Sequence, residues 1–143
     1  MEDAVLKHRF HKNGMRTNLG GETYVHEKSS RSFLKEGILS NTLTSGSVLE
    51  YAKEALGDEI THVCLNKNVT CGPHRDRTNK TNESWVYFFG DFTGGGLHLA
   101  TGEYLNERST WMGPYDSKRI IHWNEPHEGT KYSIIAFTGR EKK

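Results

Sequence analysis

The sequence predicts a mainly β fold: a barrel or jelly-roll with one helix backing one of its sheets. Three observations predict it. From residue 60 onward, short apolar or alternating runs recur about seven times, each bounded by Gly, Pro or Asn turns. Only the stretch 47–56 joins helical periodicity to signals at both ends. Trp85–Phe89 is aromatic, β-rich and apolar on both faces, as a central strand is.

Taken in order, residues 1–16 are polar and carry Lys7, His8, Arg9, His11, Lys12 and Arg16. They read as a solvated leader with a first short strand or helix; the sharper alternative is a basic arm that touches phosphate. Gly20-Gly21 marks a turn before a short strand at Thr23-Tyr24-Val25. Residues 28–46 are rich in Ser, Thr, Asn and Gly, which predicts short irregular elements. Ser47-Val48-Leu49-Glu50 then forms a capping box, with Ser47 as N-cap. Val48, Tyr51, Ala52, Ala55 and Leu56 recur at helical spacing as a core stripe, and Gly57 is the stop. Strands are expected at Ile60–Leu65, Trp85–Phe89, Leu97–Leu99, Lys118–Trp123 and Lys131–Phe137. Between them, turns or loops are expected around Asn79 and Asn82, at Thr101-Gly102-Glu103, at Gly113-Pro114 and through Pro126 and Gly129.

The chain has 143 residues, which fits one domain with its core at about 60–138. Mean hydropathy is −0.75, and no apolar run reaches membrane-spanning length. The first residues, Met1-Glu2-Asp3-Ala4-Val5, lack a signal-peptide layout, so an intracellular protein, of nucleus or cytoplasm, is expected. A net charge of +1 gives no global pull toward nucleic acid or membrane. Two cysteines, Cys64 and Cys71, make no disulfide scaffold and lack C-x-x-C metal spacing, although Cys71 stands close enough to His74 to be considered as a ligand.

The chemistry centres on His74-Arg75-Asp76. In extended chain, residues two apart point to the same face. An imidazole and a carboxylate aimed at one point are two thirds of the 2-His-1-carboxylate set that holds non-haem Fe(II) with coordination positions open. A third ligand could come from His122, His127 or His98. His122 is favoured, because an imidazole within apolar Ile120-Ile121-His122-Trp123 needs a partner. His127 follows Pro126 in an expected loop, and His98 reads as a solvent-facing residue between Leu97 and Leu99. Further on, Lys131 and Ser133 share a strand face. A cation and a hydroxyl deep in a barrel suit a carboxylate; the plain alternative is an edge-strand lysine in solvent.

The order His74-Arg75-Asp76, Gly94-Gly95-Gly96-Leu97, His122-Trp123-Asn124-Glu125-Pro126 and Gly129-Thr130-Lys131-Tyr132-Ser133-Ile134 resembles the Fe(II)/2-oxoglutarate dioxygenases, over roughly residues 60–138. The resemblance implies a double-stranded β-helix, with His74, Asp76 and His122 on iron and Lys131 and Ser133 on the distal carboxylate of 2-oxoglutarate. Co-substrate O2 and supporting ascorbate belong to the same expectation. Two departures stand out. Lys131 replaces the arginine of many members, which removes a bidentate grip. The spacing from His122 is also slightly short, which leaves Arg140 as an outside alternative. His74-Arg75-Asp76-Arg77-Thr78-Asn79 looks most like the TET/base-J-binding-protein branch, which oxidises methyl groups on nucleic-acid bases. That likeness implies Asn79 as a substrate contact, with a turn residue as the plain alternative, and a DNA or RNA substrate of the 5-methylcytosine or thymine type. Arg75, Arg77 and Lys80 are candidates for backbone phosphates. The rival expectations are an oxygenase acting on a protein side chain or small metabolite, and a β-barrel binding module without turnover.

Overall fold

The computed structural model describes residues 1–7, 24–25, 42–68, 70–77 and 79–139. The described elements are α1 (Glu2–Lys7), β1 (Tyr24–Val25), α2 (Thr42–Leu56), β2 (His62–Lys67), β3 (Asn79–Gly94), β4 (Leu97–Leu99), β5 (Tyr104–Leu105), β6 (Trp111–Asp116), β7 (His122–Asn124) and β8 (His127–Gly139). The strands form two antiparallel sheets, ordered β1-β2-β8-β3-β6 and β5-β4-β7. This is the jelly-roll arrangement of a double-stranded β-helix. No helix among the described residues is long and apolar enough to cross a membrane.

The spine is the β3–β8 pair, in register from Asn79↔Gly139 to Gly94↔His127. Strand alternation gives the large sheet two different faces. Val63 and Leu65 of β2, Phe89 of β3, and Ile134 and Ala136 of β8 point outward and are sealed by Val5 of α1 and Val48 and Ala52 of α2. Val86, Phe88 and Phe92 point inward and meet Leu97 and Leu99 of the small sheet, with Met112 and Tyr115 of β6. Full burial of each aliphatic side chain contributes about 1.5–3 kcal/mol, so this packing fixes how the sheets and helices sit. Gly94 and Gly95 carry the chain from one sheet to the other at φ of +73° and +77°, a conformation that strains any residue with a Cβ.

Several local expectations change. The helix starts at Thr42, so Ser47 lies inside it and is not its N-cap. The buried side is Val48, Leu49, Ala52 and Leu56, while Tyr51 is 49% exposed and Ala55 also faces solvent. Gly57 does end the helix, at φ +119°, donating its N–H to the Lys53 carbonyl at 2.8 Å. The first short element expected near the start is the helix α1, but it is packed instead of solvated: Val5 is fully buried. Residues 8–16, the turn at Gly20-Gly21 and the stretch 28–41 lie outside the described residues. Asn79 and Asn82 belong to β3, in an irregular stretch where the register shifts before Ser84, instead of forming a loop. Gly113-Pro114 lies within β6, not in a turn; β6 is an edge strand, where the missing N–H of proline is tolerated. The strand expected at 118–123 begins only at His122, with Ile121 43% exposed, and β8 is longer than expected, taking in Gly129.

Candidate metal centre

The site is built by sheet hydrogen bonds. His74 and His122 exchange them: each N–H donates to the other's carbonyl at 3.0 Å. Such a directly opposed pair places both side chains on one face, and the two ring centroids stand 4.3 Å apart. Asp76, two residues on, returns to that face, and its N–H is pinned by the Ser117 carbonyl at 2.8 Å. At the other end of the segment, the Asn124 N–H donates to the Cys71 carbonyl and the Cys71 N–H to Asn124 Oδ1. Residues 71–74 therefore run alongside β7.

His74 Nε2 lies 3.5 Å from Asp76 Oδ1, and His122 Nε2 lies 3.5 Å from Asp76 Oδ2. One ligand atom from each of the three residues falls within 4.8 Å of the others. The far ring nitrogens settle the tautomers. His74 Nδ1 meets the Gly72 carbonyl at 2.7 Å and His122 Nδ1 meets the Ile120 carbonyl at 3.0 Å. A carbonyl only accepts, so both Nδ1 atoms carry the proton and both Nε2 lone pairs point at the carboxylate. Three ligand atoms converging on one point can hold a cation between them. Burial lowers the His74 imidazole, but its contacts with Asp76 and the Gly72 carbonyl outweigh this and raise it. Burial pushes Asp76 up, yet the two imidazoles hold its carboxyl well below the usual carboxylate range. This donor set fits a divalent transition metal bound through two imidazoles and one carboxylate.

The two other candidate histidines are engaged elsewhere. His127 opens β8, with Nε2 3.3 Å from Asn68 Oδ1 and Nδ1 3.5 Å from Thr70 Oγ1. His98 lies on the outer face of the small sheet, 3.0 Å from Glu125 Oε2 and stacked on Trp123. Among the described residues, the group that could hold a metal is His74, Asp76 and His122, and Cys71 is not in it. Cys64 and Cys71 are both thiols. Burial, aided by the Asp76 charge and opposed by that of Lys131, pushes Cys71 up to about 12.

Lys131 sits on the central strand β8 and is 1% exposed, which excludes the solvent-facing edge lysine. Its Nζ donates to the Gly95 carbonyl at 2.6 Å and stands 4.4 Å from the centre of the Phe88 ring. Burial lowers its ammonium from the ordinary 10.5 to about 8. Ser133 is buried on the same face and accepts from Asn66 Nδ2 at 3.2 Å. Asn79 is buried too, with Nδ2 directed to Ser117 Oγ at 3.3 Å and Ser84 Oγ at 3.4 Å. Arg75, Arg77 and Lys80 are exposed. Arg140 lies outside the described residues.

Sequence reasoning passed over Asn66 and Tyr115. Asn66 read as part of a polar link between strands; its spacing of two from Cys64 was the available signal for an inward position. Tyr115 is buried with its ring 5.9 Å from that of His122, but its strand was hidden by Gly113-Pro114.

No family model and no curated protein sequence matches the chain. Among solved structures, an oxidoreductase of the 2OG-Fe(II) oxygenase family from Burkholderia pseudomallei aligns over 99% of this chain and 80% of its own, with a TM-score of 0.53 and 14% identity. At that identity the likeness speaks for the fold: this chain is folded as that 2OG-Fe(II) oxygenase is.

Proposed function

We propose that the protein is an Fe(II)- and 2-oxoglutarate-dependent oxygenase that hydroxylates a C–H bond. The observation that carries this reading is the convergence of His74, Asp76 and His122, with both Nδ1 protons turned away onto backbone carbonyls. These three residues would hold the metal and leave coordination positions open. Iron, 2-oxoglutarate and O2 together supply the oxidant, with release of succinate and CO2. Lys131 and Ser133 would hold the distal carboxylate of 2-oxoglutarate: one brings a buried positive charge, the other a hydroxyl. The apolar inner face, with Phe88 and Phe92 beside the lysine, keeps water away from that end.

Incubation with Fe(II), ascorbate and 2-oxoglutarate, with succinate as readout, tests the reading. Wild type should turn over 2-oxoglutarate well above His74→Ala, and equal rates across every substrate tried would reject it. For the substrate we propose a methylated nucleic-acid base, supported by the exposed cations Arg75, Arg77 and Lys80 around the ligand pair. A protein side chain or small metabolite is the second reading, favoured by the engagement of the Asn79 amide with Ser84 and Ser117. Methylated oligonucleotides and peptides compared for stimulation of 2-oxoglutarate consumption separate the two.

A further inference from the structure

Asn66 and Ser133 face each other across β2 and β8 in direct register, and both are 7% exposed. Asn66 Nδ2 donates to Ser133 Oγ at 3.2 Å, while Cys64 Sγ donates to Asn66 Oδ1 at 3.7 Å. Thiol, amide and hydroxyl thus form a line in which each group donates to the next. Having accepted from Asn66, Ser133 still has its own O–H proton to place. Among the described residues that proton has no acceptor. A buried hydroxyl donor without an acceptor is costly. It stands two residues from buried Lys131, on the same face of the strand. Two donors, one of them cationic, call for an anion.

We infer that Asn66 is a positioning residue: it sets the direction of the Ser133 hydroxyl so that its proton, together with Lys131, is offered to the distal carboxylate of a dicarboxylic keto acid. The inference rests on the co-substrate reading above. Its physical content is polarity. A carbonyl or carboxylate oxygen aimed at Ser133 would take the hydroxyl proton and turn lone pairs toward the ligand. Asn66→Asp makes that reversal with almost no change of shape.

The test is calorimetric titration of Mn(II)-loaded protein with 2-oxoglutarate and with 2-oxobutanoate, which lacks the distal carboxylate. Asn66→Ala should weaken 2-oxoglutarate about tenfold, and Asn66→Asp further. Neither should change 2-oxobutanoate affinity by more than about twofold. In a Ser133→Ala background, Asn66→Ala should add almost nothing, since its effect runs through the missing hydroxyl. Equal losses for the two keto acids, additive losses with Ser133→Ala, or wild-type affinity in Asn66→Asp would each overturn the inference. Should Asn66→Asp fail to fold, the alanine variants and the pair of keto acids still decide. If wild type binds neither keto acid, the co-substrate reading fails first, and the inference falls with it.

Discussion

The two faces of the large sheet are made by neighbouring residues of the same strands, yet they have opposite characters. On β8, Ile134 and Ala136 point at the helices and have no solvent exposure. Lys131 and Ser133 point the other way, into the barrel, and are buried too without being apolar. The outer face obeys the simple rule that burial stabilises. The inner face carries a desolvated ammonium, a hydroxyl and the amide of Asn66. Stability and chemistry are thus divided by strand parity, so a one-residue change of position moves a substitution from one to the other.

The sharpest break of that division is at the proposed metal ligands. His74→Ala or Asp76→Ala should lower Fe(II) or Mn(II) affinity by more than about 100-fold, read as metal per protein after reconstitution, while metal-free stability stays near wild type. On the outer face, Ile134→Ala should cost about 2–5 kcal/mol in urea unfolding, with metal stoichiometry of the folded fraction unchanged. Loss of metal from the folded fraction of that variant would show the faces to be coupled.

Lys131 sharpens the comparison, because it should stabilise when removed. The folded-state value of about 8 lies below the ordinary 10.5, so between them the unfolded chain binds more protons and this residue makes stability rise with pH. Below about pH 8 its burial costs a constant amount. Lys131→Met should therefore raise stability at pH 7 by about 1–3 kcal/mol and flatten the rise between pH 8 and 10, measured by urea midpoints. The same variant should lose 2-oxoglutarate binding, and wild-type affinity should fall as pH passes 8 and the ammonium is discharged. The smallest effect is expected at the outer face of the small sheet. Glu125→Gln breaks its half-exposed pair with His98 and should change stability by less than about 1 kcal/mol, leaving metal binding intact.

Much of this division can be read from residue alternation. Lys131, Ser133 and Ile135 share a face by parity alone, as do His74 and Asp76. What periodicity cannot supply is register. The choice among His122, His127 and His98 depends on which residue lies opposite His74, a contact between segments distant along the chain. Gly113-Pro114 hid β6 because a proline signals a turn unless the strand is known to be an edge. The polar run after Asn79 looked like a loop because a strand with shifted register loses regular alternation. The helix start was misplaced for a related reason: Ser47 and Glu50 satisfy the local capping pattern, while the turn before them carries a glycine and little apolar periodicity.

The reciprocal bonds between residues 74 and 122 have one more consequence. Slippage of β7 by a single position would present the indole of Trp123 where the imidazole of His122 now stands. Such a misaligned molecule would lack one arm of the proposed centre altogether, so a sample containing both forms should take up less than one metal ion per chain while its well-aligned members bind with undiminished affinity.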